Sequence, residues 1–389
     1  MNSTIKYLIY VAVLFVVSCT QPSDMLTVIN PDGSCYREFT ASANPQFLLG
    51  DTTAKMNPFP VKTDSTWKIS WKYKDAKLRY DFPISKAVYD SITKTLSQTR
   101  EIKKQHVISE KTTDGLTIFA RRNYKSVDEM ATKFKLKPSH EWSNMKVKYS
   151  LDKKFRWFYT YYTYREIYPK IMKDFEIPIE KYMTKDEAQF WFTGKPNIIE
   201  GMNGVEIREY IGEIEDNYKK WFAQNAWDAE YKTLINNYNL IINKPIKKER
   251  LELLKDTIFK SDTKELPDFN MEKMLNTYFK TEAFSTLWKG EDSPMRKFED
   301  DFNNQGFIKY GYQSFTYKLI MPGKVIPPNN AVIQGDTLVW KLTAYRMILG
   351  DYAIEAQSRK ANIWAFILTG IIMALAIGSF FWKPQSTLK

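Results

Sequence analysis

The pattern of apolar and polar positions along the 389-residue chain changes at a few well-defined points. Alternation typical of strands, with turn residues between the runs, covers 25–168, and apolar spacing of three and four residues covers 169–306. Strand-like alternation returns over 307–361. The pattern therefore predicts an α+β fold, in which a β-rich domain is built from both ends of the chain and a multi-helix insertion lies between its halves.

Two β-hairpins are predicted in the first part of the β-rich region. The runs LTVIN and CYREFTA flank Pro31-Asp32-Gly33-Ser34, and the runs WKISWKY and KLRYDF flank Lys74-Asp75-Ala76. Turn residues between alternating runs are typical of hairpins. Leu116 to Tyr124 has the pattern of a further strand, and Ser126 with Glu129 predicts a capping box that opens a short helix.

The stretch from Lys146 to Tyr168 is unusually rich in aromatic residues. If it is extended, Trp157, Tyr159 and Tyr161 share one face, and other aromatic residues occupy the opposite face. One interpretation is a binding platform that stacks on sugars or other flat rings. The other is a central strand covered on both faces, which is the more common use of an aromatic strand.

The helical block and the last strands follow. Apolar residues from Ile207 to Tyr238 recur at three and four, which predicts one amphipathic helix or a broken pair. Prolines separate this helix from shorter ones. AVIQGDTLVWKL predicts a hairpin around Gly335-Asp336, and Tyr352 to Lys360 is either a last strand or a helical extension of the segment that follows.

The run from Ile363 to Trp382 carries no charged residue and is long enough to cross the hydrocarbon core of a bilayer as one helix. Basic residues flank it on both sides, and a tryptophan lies near each end, where aromatic rings favour the membrane interface. We expect a transmembrane helix over 362–382. Gly370, Ala374 and Gly378 lie four residues apart and would let a second helix approach closely.

The N-terminus resembles a bacterial lipoprotein signal. A basic start at Lys6, an apolar core from Leu8 to Val17 and the sequence Val-Val-Ser-Cys ending at Cys19 resemble the lipobox of signal peptidase II substrates. The resemblance implies that 1–18 is a signal peptide and that Cys19 is lipidated at the head of an anchored N-terminus, 19–24. The alternative is an ordinary signal peptide or an uncleaved signal anchor.

Two anchors imply a topology. We expect both ends of the body to be held in the bacterial inner membrane, with the lipid bilayer as partner through Cys19 and through Ile363 to Trp382. The β-rich parts, 25–168 and 307–361, would then lie in the periplasm, and the tail 383–389 in the cytoplasm. Transfer of the lipid anchor to the outer membrane is the less favoured alternative.

Charge and cysteine content limit the possible partners. The net charge is +12 at pH 7, and the basic residues are spread along the chain, as is usual for solvated surfaces. In the envelope such a charge favours anionic lipid headgroups or cell-wall polymers. Nucleic acid is excluded as a partner by the predicted compartment. With Cys19 lipidated, Cys35 has no partner for a disulfide.

Familiar catalytic motifs are missing from the sequence. His106 and His140 lack metal-binding spacing and are interpreted as surface or loop residues. There is no nucleophile elbow, P-loop or dinucleotide fingerprint. Neighbouring carboxylates are interpreted as solvated helix-face charges, namely Glu209, Glu213, Asp300 and Asp301. We therefore predict no cofactor, no metal site and no catalytic residue, although paired glycosidase carboxylates converge in space and not in sequence.

Several features at the chain ends resemble the LppM-type bacterial membrane lipoproteins. They are the lipobox, Pro31-Asp32-Gly33-Ser34 after an early strand, Met321-Pro322-Gly323, the run GDTLVW from Gly335 and the C-terminal span. The resemblance implies a compact β-rich extracytoplasmic domain with a terminal membrane helix and no settled catalytic residues. The helical insertion departs from that plan.

Three classes of function follow from these features. The first is a non-catalytic periplasmic binding or assembly module that holds a membrane protein or an envelope polymer. The second is a structural subunit of an inner-membrane protein complex, whose span packs through its small residues. The third is an envelope hydrolase with an unrecognised acidic site.

Overall fold

The computed structural model describes residues 23–74, 76–102, 115–171, 175–261, 270–305, 314–327 and 331–381. Their contacts define two compact units. The β unit consists of Ser23–Tyr168, Phe315–Lys341 and the chain from Ala353, and the helical unit consists of Pro169–Ser314 and Leu342–Tyr352. The predicted α+β fold, with a β-rich domain built from both ends of the chain and helices inserted between its halves, is confirmed.

The strands form two sheets. In chain order they are β1 (Ser23–Ile29), β2 (Cys35–Ser42), β3 (Lys68–Tyr73), β4 (Tyr80–Asp81), β5 (Leu116–Tyr124), β6 (Lys148–Phe155), β7 (Tyr159–Tyr168), β8 (Ser314–Ile320), β9 (Lys324–Ile326), β10 (Val332–Gln334), β11 (Thr337–Thr343) and β12 (Tyr352–Ala361). One sheet has the order β10-β11-β8-β1-β2-β5-β3-β4, and the other has the order β6-β7-β12-β9. β1 and β8 pair in parallel, which joins the two ends of the chain in one sheet.

The helices are, in chain order, α1 (Pro45–Leu48), α2 (Lys86–Ile102), α3 (Val127–Lys133), α4 (Lys185–Thr193), α5 (Gly204–Asn236), α6 (Lys248–Leu253), α7 (Lys255–Ser261), α8 (Met271–Phe279), α9 (Pro294–Gln305) and α10 (Ile363–Phe381). Short 3₁₀ turns accompany them at Glu141–Asn144, Ile179–Lys181, Tyr238–Leu240, Ala283–Trp288 and Ala344–Met347. The predicted cap at Ser126 is confirmed, because its hydroxyl accepts a 3.1 Å hydrogen bond from the backbone N–H of Glu129 at the start of α3. The reciprocal bond of a capping box is not formed, because the Glu129 carboxylate accepts from the backbone N–H of Lys125 and not from that of Ser126.

The predicted hairpins are confirmed. β1 and β2 pair antiparallel around the turn that contains Gly33, whose φ of +98° suits a residue without a side chain. β10 and β11 pair around Gly335-Asp336. The second hairpin is shorter than its pattern suggested, because β4 is only Tyr80–Asp81.

The aromatic stretch from Lys146 to Tyr168 does not run as one extended strand. It forms the β6–β7 hairpin, in which Phe155 lies opposite Thr160. The backbone N–H of Arg156 donates to the carbonyl of Tyr159 at 2.8 Å and closes the turn. β7 is a central strand between β6 and β12, with its even-numbered residues buried and its odd-numbered residues half-buried.

The last strand leads directly into the apolar helix. The segment that begins at Tyr352 is a strand, β12, so the alternative of a helical extension is wrong. Asn362 alone separates Ala361, the end of β12, from Ile363, the start of α10. Among the described residues, α10 is the one helix long and apolar enough to cross a membrane.

The helical unit is organised along α5, which is one continuous helix of 33 residues and not a broken pair. Asn203 caps its first turn. Its N-terminal half buries Ile214 and Tyr218 in one apolar cluster, and its C-terminal half buries Trp227 and Leu234 in a second. The long apolar face of this helix therefore supports two cores in succession.

Candidate functional site

The turn between β6 and β7 lies against the start of α10. We call residues 155–159 the hairpin tip. The side-chain amide of Asn362 donates to the carbonyls of Arg156 and Trp157, at 2.8 and 3.1 Å. The backbone N–H of Asn362 donates to the carbonyl of Phe158 at 2.9 Å. The three carbonyls of the turn therefore have partners within the protein.

Side chains of the hairpin tip continue this contact along α10. The ring of Phe155 stacks at 6.2 Å on that of Trp364, and the ring of Phe158 lies 4.7 Å from that of Phe366. The indole N–H of Trp157 donates a 2.9 Å hydrogen bond to the hydroxyl of Thr369. Thr369 is six residues beyond the helix start, or about 9 Å along the axis. The tip therefore follows α10 for more than a full turn.

The predicted platform residues are not equivalent in the structure. Trp157 belongs to the turn and also packs edge-on against Trp364, at 5.3 Å. Tyr159 and Tyr161 lie on the half-buried face of β7, with ring centroids 6.4 Å apart and planes tilted by 58°. The Arg359 guanidinium lies 5.0 Å above the Tyr159 ring. The two tyrosines therefore do not present one flat stacking surface.

A charged network lies in the core of the β unit. The guanidinium of Arg37 on β2 and the carboxylate of Glu166 on β7 are 2.8 Å apart, and both side chains are fully buried. Tyr164 and Tyr168 donate hydrogen bonds to the two oxygens of Glu166, at 2.9 and 2.5 Å. Arg37 donates to the hydroxyl of Thr27 at 3.1 Å. Each charge is therefore both paired and hydrogen-bonded, as a buried charge must be.

The network favours the charged form of Arg37 and the neutral forms of Tyr164 and Tyr168. Burial is the largest single cause and opposes the charge on Arg37, but the attraction of Glu166 and of the neighbouring tyrosines together outweighs it and raises the pKa of the guanidinium above its ordinary value. Burial, followed by the nearby carboxylate, raises the pKa of Tyr164 and of Tyr168 well above 10. A cavity of about 30 Å³ borders Arg37, with room for one or two water molecules. A space this small does not admit a substrate.

A larger cleft occurs in the helical unit. It measures about 330 Å³, at the lower limit for small-molecule sites, and its lining includes Lys170, Glu176, Lys185 and Trp221. The amide of Asn225 fixes one wall, because its oxygen accepts from the N–H of Ile177 at 2.9 Å and its nitrogen donates to the carbonyl of Ile177. Charges of both signs border the cleft, so it has no clear ligand preference.

The carboxylates singled out in the sequence are exposed on helix faces, namely Glu209, Glu213, Asp300 and Asp301. A different carboxylate is buried. Glu230 lies inside α5, and burial, followed by the charge of Glu299, raises the pKa of its carboxyl well above the ordinary value. The sequence did contain a signal for the burial of Glu230, because this residue lies between Trp227 and Tyr231 on the apolar face of the helix. Neither of the cavities described above includes Glu230 in its lining.

His140 lies in a loop, as interpreted, but it is not a surface residue. The ring is buried and stacks on Phe315 at 5.5 Å, and its Nδ1 accepts a 3.1 Å hydrogen bond from the N–H of Trp142. Burial is the main cause that lowers the pKa of His140 to about 4. His106 lies outside the described residues. Within the described ranges, no group of three or more His, Cys, Asp or Glu could hold a metal ion.

The remaining predicted site residues concern the anchors. Gly370, Ala374 and Gly378 lie on exposed parts of α10, and a Cβ added at either glycine would meet nothing within 4 Å. Cys19, the signal peptide and the C-terminal tail lie outside the described residues. Cys35 is buried, and burial is the main cause that raises the pKa of its thiol to about 11.

Comparison with protein-family models, with curated proteins and with solved structures gave no match to this chain. The resemblance to the LppM-type lipoproteins therefore stays a prediction. Among the described features, the contact between the hairpin tip and α10 has the most specific geometry, because hydrogen bonds and ring contacts together join the β6–β7 turn to the start of the apolar helix.

Proposed function

We propose that the protein is a non-catalytic binding or assembly module of the bacterial cell envelope. In this proposal a lipid on Cys19 and the helix α10 anchor the two ends of the body in the inner membrane, and the body lies in the periplasm. The partner would be a membrane protein or an envelope polymer. The two anchors and the missing catalytic motifs favour this class over an enzyme.

The observation that carries the proposal is the junction at Asn362. One residue separates β12 from α10, and the side chain of that residue is hydrogen-bonded to the hairpin tip. A flexible linker would let the β unit move freely above the membrane. The junction instead fixes the sheets of the β unit relative to the helix. Such a fixed position suits a module that must meet a partner at a constant distance from the bilayer.

Two alternatives have weaker support. As a structural subunit of an inner-membrane complex, the protein would pack its span against another through Gly370, Ala374 and Gly378, which are exposed on α10. As an envelope hydrolase it would use a carboxylate pair such as Glu230 and Glu299, which interact electrostatically in the helical unit. The cavities described above do not reach Glu230, so the hydrolase is the weakest of the three.

The test inserts ten Gly/Ser residues between Asn362 and Ile363 of the full-length, C-terminally tagged protein. The matched control has the same insertion in the exposed β10–β11 turn, between Gly335 and Asp336. Membranes are fractionated, proteins are purified in mild detergent, and mass spectrometry analyses the Cys19 peptide and the co-purifying proteins. We expect a lipidated Cys19, and a stoichiometric partner that the wild type and the turn variant retain and the junction variant loses.

Other results would contradict the proposal. An unmodified Cys19 would exclude the double anchor, and a body accessible to protease only from the cytoplasmic side would exclude the periplasmic location. A partner that remains with the junction variant but is lost on Gly370→Leu and Gly378→Leu would favour the intramembrane complex. A partner that remains with all of these variants would exclude a role for the junction.

A further inference from the structure

We propose that the hairpin tip is a second membrane-binding element, which inserts Phe155, Trp157 and Phe158 into the boundary between lipid headgroups and acyl chains beside α10. The inference rests on the proposed anchoring of the protein by α10. It adds a contact between the folded β unit and the lipid that neither anchor provides.

The hairpin tip reaches a level of α10 that lies inside the membrane when the helix spans it. The 19 residues of α10 measure about 28 Å, close to the roughly 30 Å of a hydrocarbon core, so Ile363 would lie near the membrane boundary. The hydrogen bond from Trp157 reaches Thr369, about 9 Å beyond Ile363. A side chain fixed at that level of the helix cannot remain in bulk water while the helix spans the bilayer.

The aromatic side chains of the hairpin tip remain partly exposed. Phe155 is 58% exposed, Trp157 is 45% exposed and Phe158 is 38% exposed, although each packs one side on α10. Three neighbouring aromatic residues with a free face form an apolar surface continuous with that of the helix. Tryptophan is favoured at the membrane interface, and phenylalanine beside it adds apolar surface that can enter the lipid.

The backbone carbonyls of the turn are hydrogen-bonded within the protein. A segment that enters an apolar medium must satisfy its polar backbone groups internally. Asn362 does this for the carbonyls of Arg156, Trp157 and Phe158, and the N–H of Arg156 bonds to the carbonyl of Tyr159. The indole N–H also has its partner on the helix.

Basic side chains border the hairpin tip. Lys154 and Arg156 lie in or next to the tip, and Arg359 and Lys360 precede the helix on β12. These side chains are exposed, and their long aliphatic stems let the charged ends reach phosphate groups while the aromatic rings lie deeper. An apolar tip with a basic border matches an anionic lipid surface.

Hydroxyl-radical footprinting of the full-length protein tests the inference, in nanodiscs of phosphatidylcholine and phosphatidylglycerol. Tyr80 is the matched control, since it is an aromatic residue of the β unit that is 49% exposed. The oxidation rate of each residue is divided by its rate in the unfolded protein, to remove differences in intrinsic reactivity. We expect the normalised rates of Trp157 and Phe158 to be several-fold lower than that of Tyr80.

Met373 separates this inference from the proposed anchoring, because it is 58% exposed in the middle of α10. If Met373 is protected while Trp157 and Phe158 are oxidised like Tyr80, the helix is inserted and the inference about the tip is wrong. If Met373 is also oxidised like Tyr80, the anchoring is wrong, and the insertion of the tip falls with it.

A spin label gives an independent measurement on the Cys35→Ala background, with labelling sites located by mass spectrometry. Phe158→Cys places the label at the tip, and Lys148→Cys places it at the opposite end of β6, roughly 24 Å from Phe155 along the strand. We expect the label at the tip to be more accessible to oxygen than to a water-soluble nickel complex, and the label at Lys148 to show the opposite order. The same order at both sites would overturn the inference.

Discussion

Arg37 and Glu166 form an ion pair of 2.8 Å in which neither side chain has any exposed surface. Arg37 lies on β2 of the eight-stranded sheet, and Glu166 lies on β7 of the four-stranded sheet. The pair therefore joins the two sheets through a charge-assisted hydrogen bond inside the core of the β unit. The Phe134 ring lies 4.6 Å from the guanidinium, close enough for a cation–π contact.

Removing one partner of this pair should be more damaging than removing both. Arg37→Met leaves the carboxylate of Glu166 buried without its countercharge, and we expect a loss of about 3–5 kcal/mol. The double variant with Glu166→Leu should recover part of this loss, because no buried charge remains. Hydrogen exchange of peptides from β2 and β7 measures the free energy of opening of these strands.

An exposed ion pair on the same strand is the control. Arg165 and Glu355 are also 2.8 Å apart, but each is about two-fifths exposed. Arg165→Met should therefore cost less than about 1 kcal/mol. Equal losses for Arg37→Met and Arg165→Met would contradict the importance given to burial.

His140 should make the β unit sensitive to acid. Its pKa is lowered to about 4 in the folded protein, whereas an unfolded chain takes up the proton near 6.5. Between these values the unfolded state binds more protons, so the free energy of unfolding falls as the pH decreases, by up to about 1.4 kcal/mol per pH unit. Above pH 6.5 this contribution is constant.

The variant His140→Asn provides the comparison, since an amide oxygen can still accept from the N–H of Trp142 but does not titrate in this range. Urea unfolding is measured from pH 7.5 to 4.5 by near-ultraviolet circular dichroism. We expect the wild type to lose stability more steeply than the variant below pH 6.5. Equal slopes would show that His140 is protonated without cost in the folded state.

The fold could be predicted from the sequence because the turn residues and the alternation within each strand agree with the pairing of the strands in the sheets. The turn residues at Pro31-Asp32-Gly33-Ser34 and at Gly335-Asp336 mark hairpins whose strands alternate correctly. The turn after Phe155 was not predictable in the same way, because the sequence there contains none of the glycine, proline or asparagine residues that mark tight turns. Asn362 holds it instead, from 206 residues further along the chain.

The candidate sites depended on contacts of this long-range kind. Arg37 and Glu166 are 129 residues apart, and each was visible only as a charge on the apolar face of a strand. His140 has polar neighbours in the sequence, and its burial depends on Phe315. The periodicity of apolar residues and the composition of a segment predict on which face of its own strand or helix a side chain lies. They do not give the element that will cover it.

Gly323 should tolerate no side chain. Its φ is +78°, and a Cβ at this position would collide with the backbone of Arg359 and Lys360, where β12 approaches α10. Gly335→Ala is the control, because its φ is +61° but a Cβ there would meet nothing within 4 Å. We expect about 1–2 kcal/mol of backbone strain in both variants and a further loss in Gly323→Ala. Thermal unfolding that is the same for both would contradict the predicted collision.

Asn362→Ala should loosen the hairpin tip against α10. The variant loses the two hydrogen bonds from the side-chain amide to Arg156 and Trp157, and it loses the 2.9 Å bond that the amide oxygen accepts from Thr160. At about 0.5–1.5 kcal/mol each, these bonds can account for a loss of a few kcal/mol, confined to the tip. Hydrogen exchange of residues 153–162 should therefore accelerate, while a peptide over β3 should not change.

Thr160→Val separates the contributions, because it removes only the bond to the amide oxygen. Its effect on the tip should be about one third of that of Asn362→Ala if the three bonds contribute equally. The bond from the backbone N–H of Asn362 to the carbonyl of Phe158 remains in both variants, so the turn should loosen without separating from the helix. If exchange in the tip is unchanged in Asn362→Ala, the aromatic contacts with Trp364 and Phe366 hold the junction without help from the asparagine.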